Sequence, residues 1–198
     1  MLQQLSRRLR LWFQYRISEK RRLHILLDIK SKDLVLDVGS GHNPLSRADV
    51  LSDLYVENNA QRGGKSLKTN GKAFIISDVE HLPFKGKSFA FINCCATIEH
   101  TRLPGLALRE LTRVGKTVYI TVPTYLNEIL FPQSFHRCII RKVENELLIL
   151  PNPFSSHTKI VHKIFEKIVI LKLLQYLLNE MTSLFTLRIV LVARNKNY

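Results

Sequence analysis

The chain has 198 residues, with 30 Lys+Arg against 16 Asp+Glu and a formal net charge of +14. That length supports one globular domain of ordinary size, and with 45% hydrophobic and 9% aromatic residues it can fill a core, which excludes a disordered or collagen-like chain. The charge invites an acidic partner but is unevenly spread: residues 1–32 carry nine Lys/Arg against two acids, residues 33–123 eleven against nine, and residues 124–198 ten against five.

In chain order, Leu2, Leu5, Leu9, Trp12 and Phe13 recur at helical spacing with Arg7, Arg8 and Arg10 between them. This predicts a basic amphipathic helix, followed by a second over 21–29, so that residues 1–32 form a helical cap. A solvated face over the sheet, an anionic membrane surface and a nucleic-acid contact all stay open for it. Residues 34–38 (LVLDV) are a short apolar run ending at a glycine pair, the pattern of a strand buried on both faces. Comparable runs follow at 49–51, 73–77 (AFIIS), 89–95 (FAFINCC) and 117–122 (TVYITV), with a helical stretch at 106–114. Short buried strands interleaved with helices predict a doubly wound, mostly parallel α/β sheet in residues 33–198.

Residues 124–158 are rich in Pro, Asn, Ser and aromatics, and predict an inserted lid or loop layer on the substrate side. A helix at 159–178 and a last strand at 186–193 complete the expectation. No run of about 18 uncharged apolar residues is present, so no membrane span is expected. The start MLQQLSRRLR lacks a continuous apolar stretch and a small-residue cleavage site, which reads against a secretory signal. Cys94 and Cys95 lie in an apolar run far from Cys138, so no disulfide framework is expected and a reducing, cytoplasmic setting is. No CxxC or close His spacing points to a metal, and none is expected.

The chemistry-bearing signal begins at Asp37-Val38-Gly39-Ser40-Gly41-His42-Asn43-Pro44, directly after the first strand. Glycines there let the backbone turn tightly and approach a ligand. Pro44 stands where a dinucleotide fingerprint has its third glycine, which reads against NAD or FAD. The Gly63-Gly64-Lys65-Ser66 run has Asn59 where a phosphate loop needs glycine. Asp53 and Asp78 fall at the ends of the second and third strands, as Asp37 does at the first, and a carboxylate after the second strand suits the paired hydroxyls of a ribose.

On VLDVGSGHNP, ADVLSDLY, ISDVEHLPFKGKSFAFINCCATIEH and ALRELTRVGKTVYITVP, the sequence resembles class I S-adenosylmethionine-dependent methyltransferases, in particular the small type 11 group, over roughly residues 33–123. The resemblance implies a Rossmann-like fold and S-adenosylmethionine as cofactor. It places Gly39 and Gly41 beneath that cofactor with Asp37 orienting its amino-acid end, Asp53 on the ribose and Asp78 on the adenine amine with Val79 beside the ring. A backbone carbonyl of Cys94 or Cys95 would meet its ammonium group. Ala90 stands where the family has Asp, the 41–53 connection is short for a crossover helix, and a closing strand hairpin is hard to place in 179–198. Methyl transfer needs alignment more than acid–base chemistry; His100 is the candidate where a proton must leave, with His136, His157 and Tyr125 behind it. Tyr125, Leu126, Ile129, Leu130, Phe131, Phe135 and Phe154 point to a small-molecule or lipid-like acceptor. An RNA methyltransferase and a non-catalytic S-adenosylmethionine-binding module are the alternatives.

Overall fold

Val35–Val38 (β1) is buried along its whole length, because it lies at the centre of a sheet covered on both faces. The coordinates are a computed structural model that describes residues 29–130, 133–144, 146–153 and 186–192. The expected N-terminal helices up to residue 28, the helix at 159–178, and Phe131, Phe154 and His157 lie outside the described residues.

Four further parallel strands follow: Val50–Asp53 (β2), Ala73–Ile76 (β3), Phe89–Cys95 (β4) and Gly115–Pro123 (β5). They are arranged β3-β2-β1-β4-β5, and Thr186–Val192 (β8) pairs antiparallel with β5, placing Ile189 opposite Ile120. Each expected strand is found within two residues of its place. Asp53 is the last residue of β2 instead of the first beyond it.

Alternation sorts the strand residues onto two faces. Leu36, Val38, Ile92, Cys94, Val118 and Ile120 share one core, while Val35, Phe91 and Tyr119 join Leu45, Ala48 and Leu51 in the other. Helix α1, Pro104–Val114, covers the first face with Ala107, Leu111 and Val114. Proline at its first turn costs no hydrogen bond, since that amide would lack a helical partner anyway. Burying Leu111 and Val114 at about 1.5–3 kcal/mol each, with Ala107 adding less, holds it down far more firmly than helix propensity would. Glycine is required where it ends: a Cβ on Gly115 would come within 2.7 Å of Ile92 Cδ1. The β1–β2 connection crosses without a helix, as its shortness predicts. Instead, Leu45 and Ala48 plug the second face directly.

Residues 124–158 differ from the expected loop layer. Their described part forms a short helix, Tyr125–Leu130 (α2), and an antiparallel hairpin of Cys138–Val143 (β6) with Glu146–Pro151 (β7). Ile140 packs into the first core and Ile149 lies against it. The strands are short apolar runs (CIIRKV and ELLILP) on either side of Glu144, which takes φ +52°, and the Pro, Asn and Ser around them mask that signal. Among the described residues no helix is long and apolar enough to cross a membrane.

Candidate active site

β1 has β2 on one side and β4 on the other. The chain leaves these strands in opposite directions there, which opens a crevice at their carboxyl ends. A cleft of about 450 Å³ occupies this place, lined by residues that follow β1, β2, β3 and β4 and by His100, Arg102 and Arg137.

Its floor is the glycine turn. Gly39 (φ +68°) and Gly41 (φ +55°) both adopt left-handed backbone, and a Cβ on Gly39 would lie 2.1 Å from Thr97 Oγ1. Only glycine lets the β1 and β4 ends approach this closely. The Gly39 and Ser40 amides donate to the Ser52 carbonyl, which pins the turn to β2.

Asp53 is 8% exposed and lines the cleft. Its Oδ2 accepts the Gly41 amide at 3.0 Å, its Oδ1 accepts the Tyr55 amide at 3.0 Å, and Arg62 Nη1 stands 3.8 Å from Oδ1. A carboxylate has about four acceptor positions, so two stay available. Arg62 is itself anchored on the Tyr55 and Val56 carbonyls. Asp78 turns its backbone by accepting the Glu80 amide at Oδ1, 2.9 Å, and Val79 follows it on the cleft wall. Glu80 then accepts the Arg102 and Leu103 amides, 2.6 and 2.9 Å, at the head of α1. A carboxylate there complements the helix dipole.

The structure thus brings together Gly39, Gly41, Asp53, Asp78, Val79 and His100 at one cleft. Asp37, Cys94 and Cys95 do not line it. Asp37 points with its strand parity to the second face, where it accepts the Leu45 amide at 2.7 Å and the Asn93 side-chain amide at 2.5 Å. The Cys95 carbonyl accepts the Thr97 hydroxyl. Burial pushes the Cys94 thiol well above its ordinary pKa and raises Cys138 to about 12, so neither is a thiolate. Arg62, Thr97, Arg102 and Arg137 also line the cleft. Nothing in their local sequence marks them, because the fold alone carries them there.

Beside the cleft lies a second polar group. Glu99 and His100 belong to a single 3₁₀ turn, Ile98–His100, after β4. His136, from the loop before β6, places its Nδ1 2.6 Å from Glu128 Oε1, and Asn152 Nδ2 donates to Glu128 Oε2 at 2.8 Å. The His100 and His136 rings meet edge to face at 4.9 Å. Burial, reinforced by His136, lowers His100 to a pKa of about 4, with the Phe135 and Ala96 carbonyls opposing. Burial raises Glu99 to about 7, against the pull of its own amide and of His136.

Residues 36–117 match the family described as Methyltransferase domain. Comparison with curated proteins finds no match. Among solved structures, the chain resembles the PH0226 protein of Pyrococcus horikoshii, at 18% identity and TM-score 0.50 over 92% of this chain and 91% of that one. It also resembles the Haloferax volcanii complex of the Trm112 methyltransferase activator with its methyltransferase partner, at 16% identity and TM-score 0.51 over 86% of each chain. A SAM-dependent methyltransferase of Thermotoga maritima aligns at 19% identity and TM-score 0.46, over 63% of this chain and 62% of that one. The chain spans only 50%, 62% and 51% of the length of three solved proteins that it matches. The glycine turn, the strand-end acids and the 3-2-1-4-5 strand order all fall in or around the matched segment. Residues 36–117 thus match a methyltransferase domain, set in the fold that the chain shares with these solved structures.

Proposed function

We propose that the chain transfers a methyl group from S-adenosylmethionine to a small-molecule or lipid-like acceptor. One observation carries the reading: Gly39, Gly41, Asp53, Asp78 and Val79, drawn from three strand ends, wall a single cleft. Bound S-adenosylmethionine supplies a methyl group on a positively charged sulfur, already activated for in-line displacement.

The chain's share is to position and to exclude water. Gly39 keeps the turn free of side chain where the cofactor's backbone-facing side would pass. The open acceptor positions of Asp53 suit two ribose hydroxyls, and the amides on Oδ1 and Oδ2 hold that carboxylate in place. Asp78 Oδ2 suits an amine at the adenine edge, with Val79 as the apolar surface beside it. Asp37 acts through Leu45 and Asn93, as a positioning residue for the turn. His100 lines the cleft as a neutral imidazole; with its pKa near 4 it is a weak proton acceptor near neutrality.

On the acceptor, Arg102 and Arg137 are exposed cations at the cleft, and Tyr125 and Leu126 are exposed on α2 at 42% and 43%. Together they favour an acceptor that joins an apolar body to an acidic group. The same arginines favour RNA as a second reading. The basic segment at residues 1–32 fits a peripheral contact with an anionic membrane surface in the first reading and a phosphate contact in the second.

Calorimetry with S-adenosylmethionine tests the cofactor, and an intact protein that binds none sinks the proposal. Incubating the protein with methyl-labelled cofactor and a cell extract tests the acceptor. Label in the solvent-extractable fraction supports the first reading; label in RNA, with binding that falls steeply with salt, replaces it with the second. Binding without any labelled product points to the non-catalytic module.

A further inference from the structure

We propose that Glu99, His100 and His136 form a site for one divalent transition-metal ion of the zinc class at the edge of the cleft, with Glu128 orienting His136. One ligand atom from each of the three residues lies within 4.8 Å of the others. Zinc bonds of about 2.0–2.2 Å put tetrahedral ligands roughly 3.3 Å apart, so closing on an ion asks for a contraction of at most about 1.5 Å between ligand atoms. Two imidazoles and a carboxylate are a donor set that such ions accept, with a coordination position left for water or substrate.

The second observation is Glu99 itself. It is 1% exposed, and neither carboxylate oxygen makes a well-formed hydrogen bond among the described residues, the Glu99 and Thr97 amides acting on it only weakly. The other carboxylates described above are all engaged: Glu80 by two amides, Glu128 by His136 and Asn152. A buried carboxylate so weakly partnered costs several kcal/mol and is rare. A cation between it and the two imidazoles removes that cost.

Support around the three residues is also in place. Glu128 accepts from His136 Nδ1, which leaves Nε2 as the nitrogen that can bind an ion, and Asn152 fixes the other Glu128 oxygen. Metal-binding histidines are commonly oriented in this way. The Arg137 amide donates to the Glu99 carbonyl at 2.7 Å, which ties together the two segments that carry the ligands. Since His100 lines the cleft, a bound ion borders it, where it would ease loss of a proton from an acceptor hydroxyl or amine. This consequence rests on the methyl-transfer reading; the site does not.

The test is zinc binding by the chelator-stripped full chain, followed by calorimetry and metal analysis without S-adenosylmethionine. The expected result is one Zn²⁺ per chain, with affinity lowered about 100-fold or more in Glu99→Gln and His136→Gln and about 10–100-fold in Glu128→Gln. His81→Gln, far from the cluster in role and on the surface, should bind as the parent does. Should a buried variant fail to fold by circular dichroism, His100→Gln on the cleft wall decides. Absence of stoichiometric zinc, or zinc bound equally well by the folded ligand variants, overturns the site. Loss of S-adenosylmethionine binding with zinc binding intact would instead count against the methyl-transfer reading alone.

Discussion

The two halves of the candidate site are built on opposite principles. On the strand-end side, Asp53 and Asp78 are each tied to backbone amides within a few residues or on the neighbouring turn, so their placement follows from the β–turn units that carry them. On the insertion side, Glu99, Glu128, His136 and Asn152 come from four separate segments and hold one another through side chains or face one another unpaired. The first half is a binding surface whose carboxylates are fastened to the backbone of the sheet and its turns. In the second, side chains tie α2 to the segments flanking the hairpin, and the Arg137 amide on the Glu99 carbonyl joins them to the turn after β4.

The sharpest way to separate the halves is pH. In metal-free protein Glu99 has a folded pKa of about 7 against 4.5 unfolded. Its raised value adds stability below pH 4.5 that is lost as pH rises through 7. His100, depressed to about 4 from 6.5, adds stability above pH 6.5 that is lost as pH falls through 4. Each amounts to about 3 kcal/mol, and the two oppose each other between pH 4.5 and 6.5. Glu99→Gln should therefore gain on the parent as pH is raised from 4.5 to beyond 7, and urea unfolding across that range measures the gain. A constant difference would mean that Glu99 is not buried as described.

Next in size, Glu128→Ala leaves His136 and Asn152 without their shared acceptor and should cost about 2–5 kcal/mol of stability, while leaving S-adenosylmethionine affinity close to the parent's. Gly39→Ala is the reverse case. Its Cβ meets Thr97 at a left-handed φ, so about 1–3 kcal/mol of strain should appear, with cofactor binding lost by calorimetry. Smaller still, Asp53→Asn should weaken cofactor binding about 10-fold, or roughly 1.4 kcal/mol, with a loss of stability of about 1 kcal/mol because Asn can accept only one of the Gly41 and Tyr55 amides. Equal effects of Glu128→Ala and Asp53→Asn on both measurements would erase the contrast. The least effect is expected at Glu80→Gln, about 0.5–1 kcal/mol, seen as a lower thermal midpoint, since an amide oxygen still accepts at the head of α1 but carries no charge.

This contrast also explains what could be read from sequence. Strands β1 to β5, helix α1 and the cleft's glycines and acids were legible, because each is announced by an apolar run and the residue that ends it. Asp37 was placed in the crevice by resemblance, whereas parity along β1 turns it to the second face with Val35. Cys94 likewise follows Leu36 and Val38 into the first core. The hairpin was hidden by the composition around it. Glu99 and His136 stand 37 positions apart, and no local pattern marks a cluster whose members meet only after β6 has docked. Arg137 reaches the cleft by the same route.

Strand β8 brings one more consequence. Ile120 finds its partner at Ile189, 69 positions further on, while the parallel neighbour of β5, β4, is in place earlier in the chain. During synthesis the 36–117 segment can condense while the outer edge of β5 still has no partner. An apolar strand in that state is a template for intermolecular pairing. Strand β8 is thus an edge guard that arrives late, and the interval before it docks is when the nascent chain is most prone to aggregate.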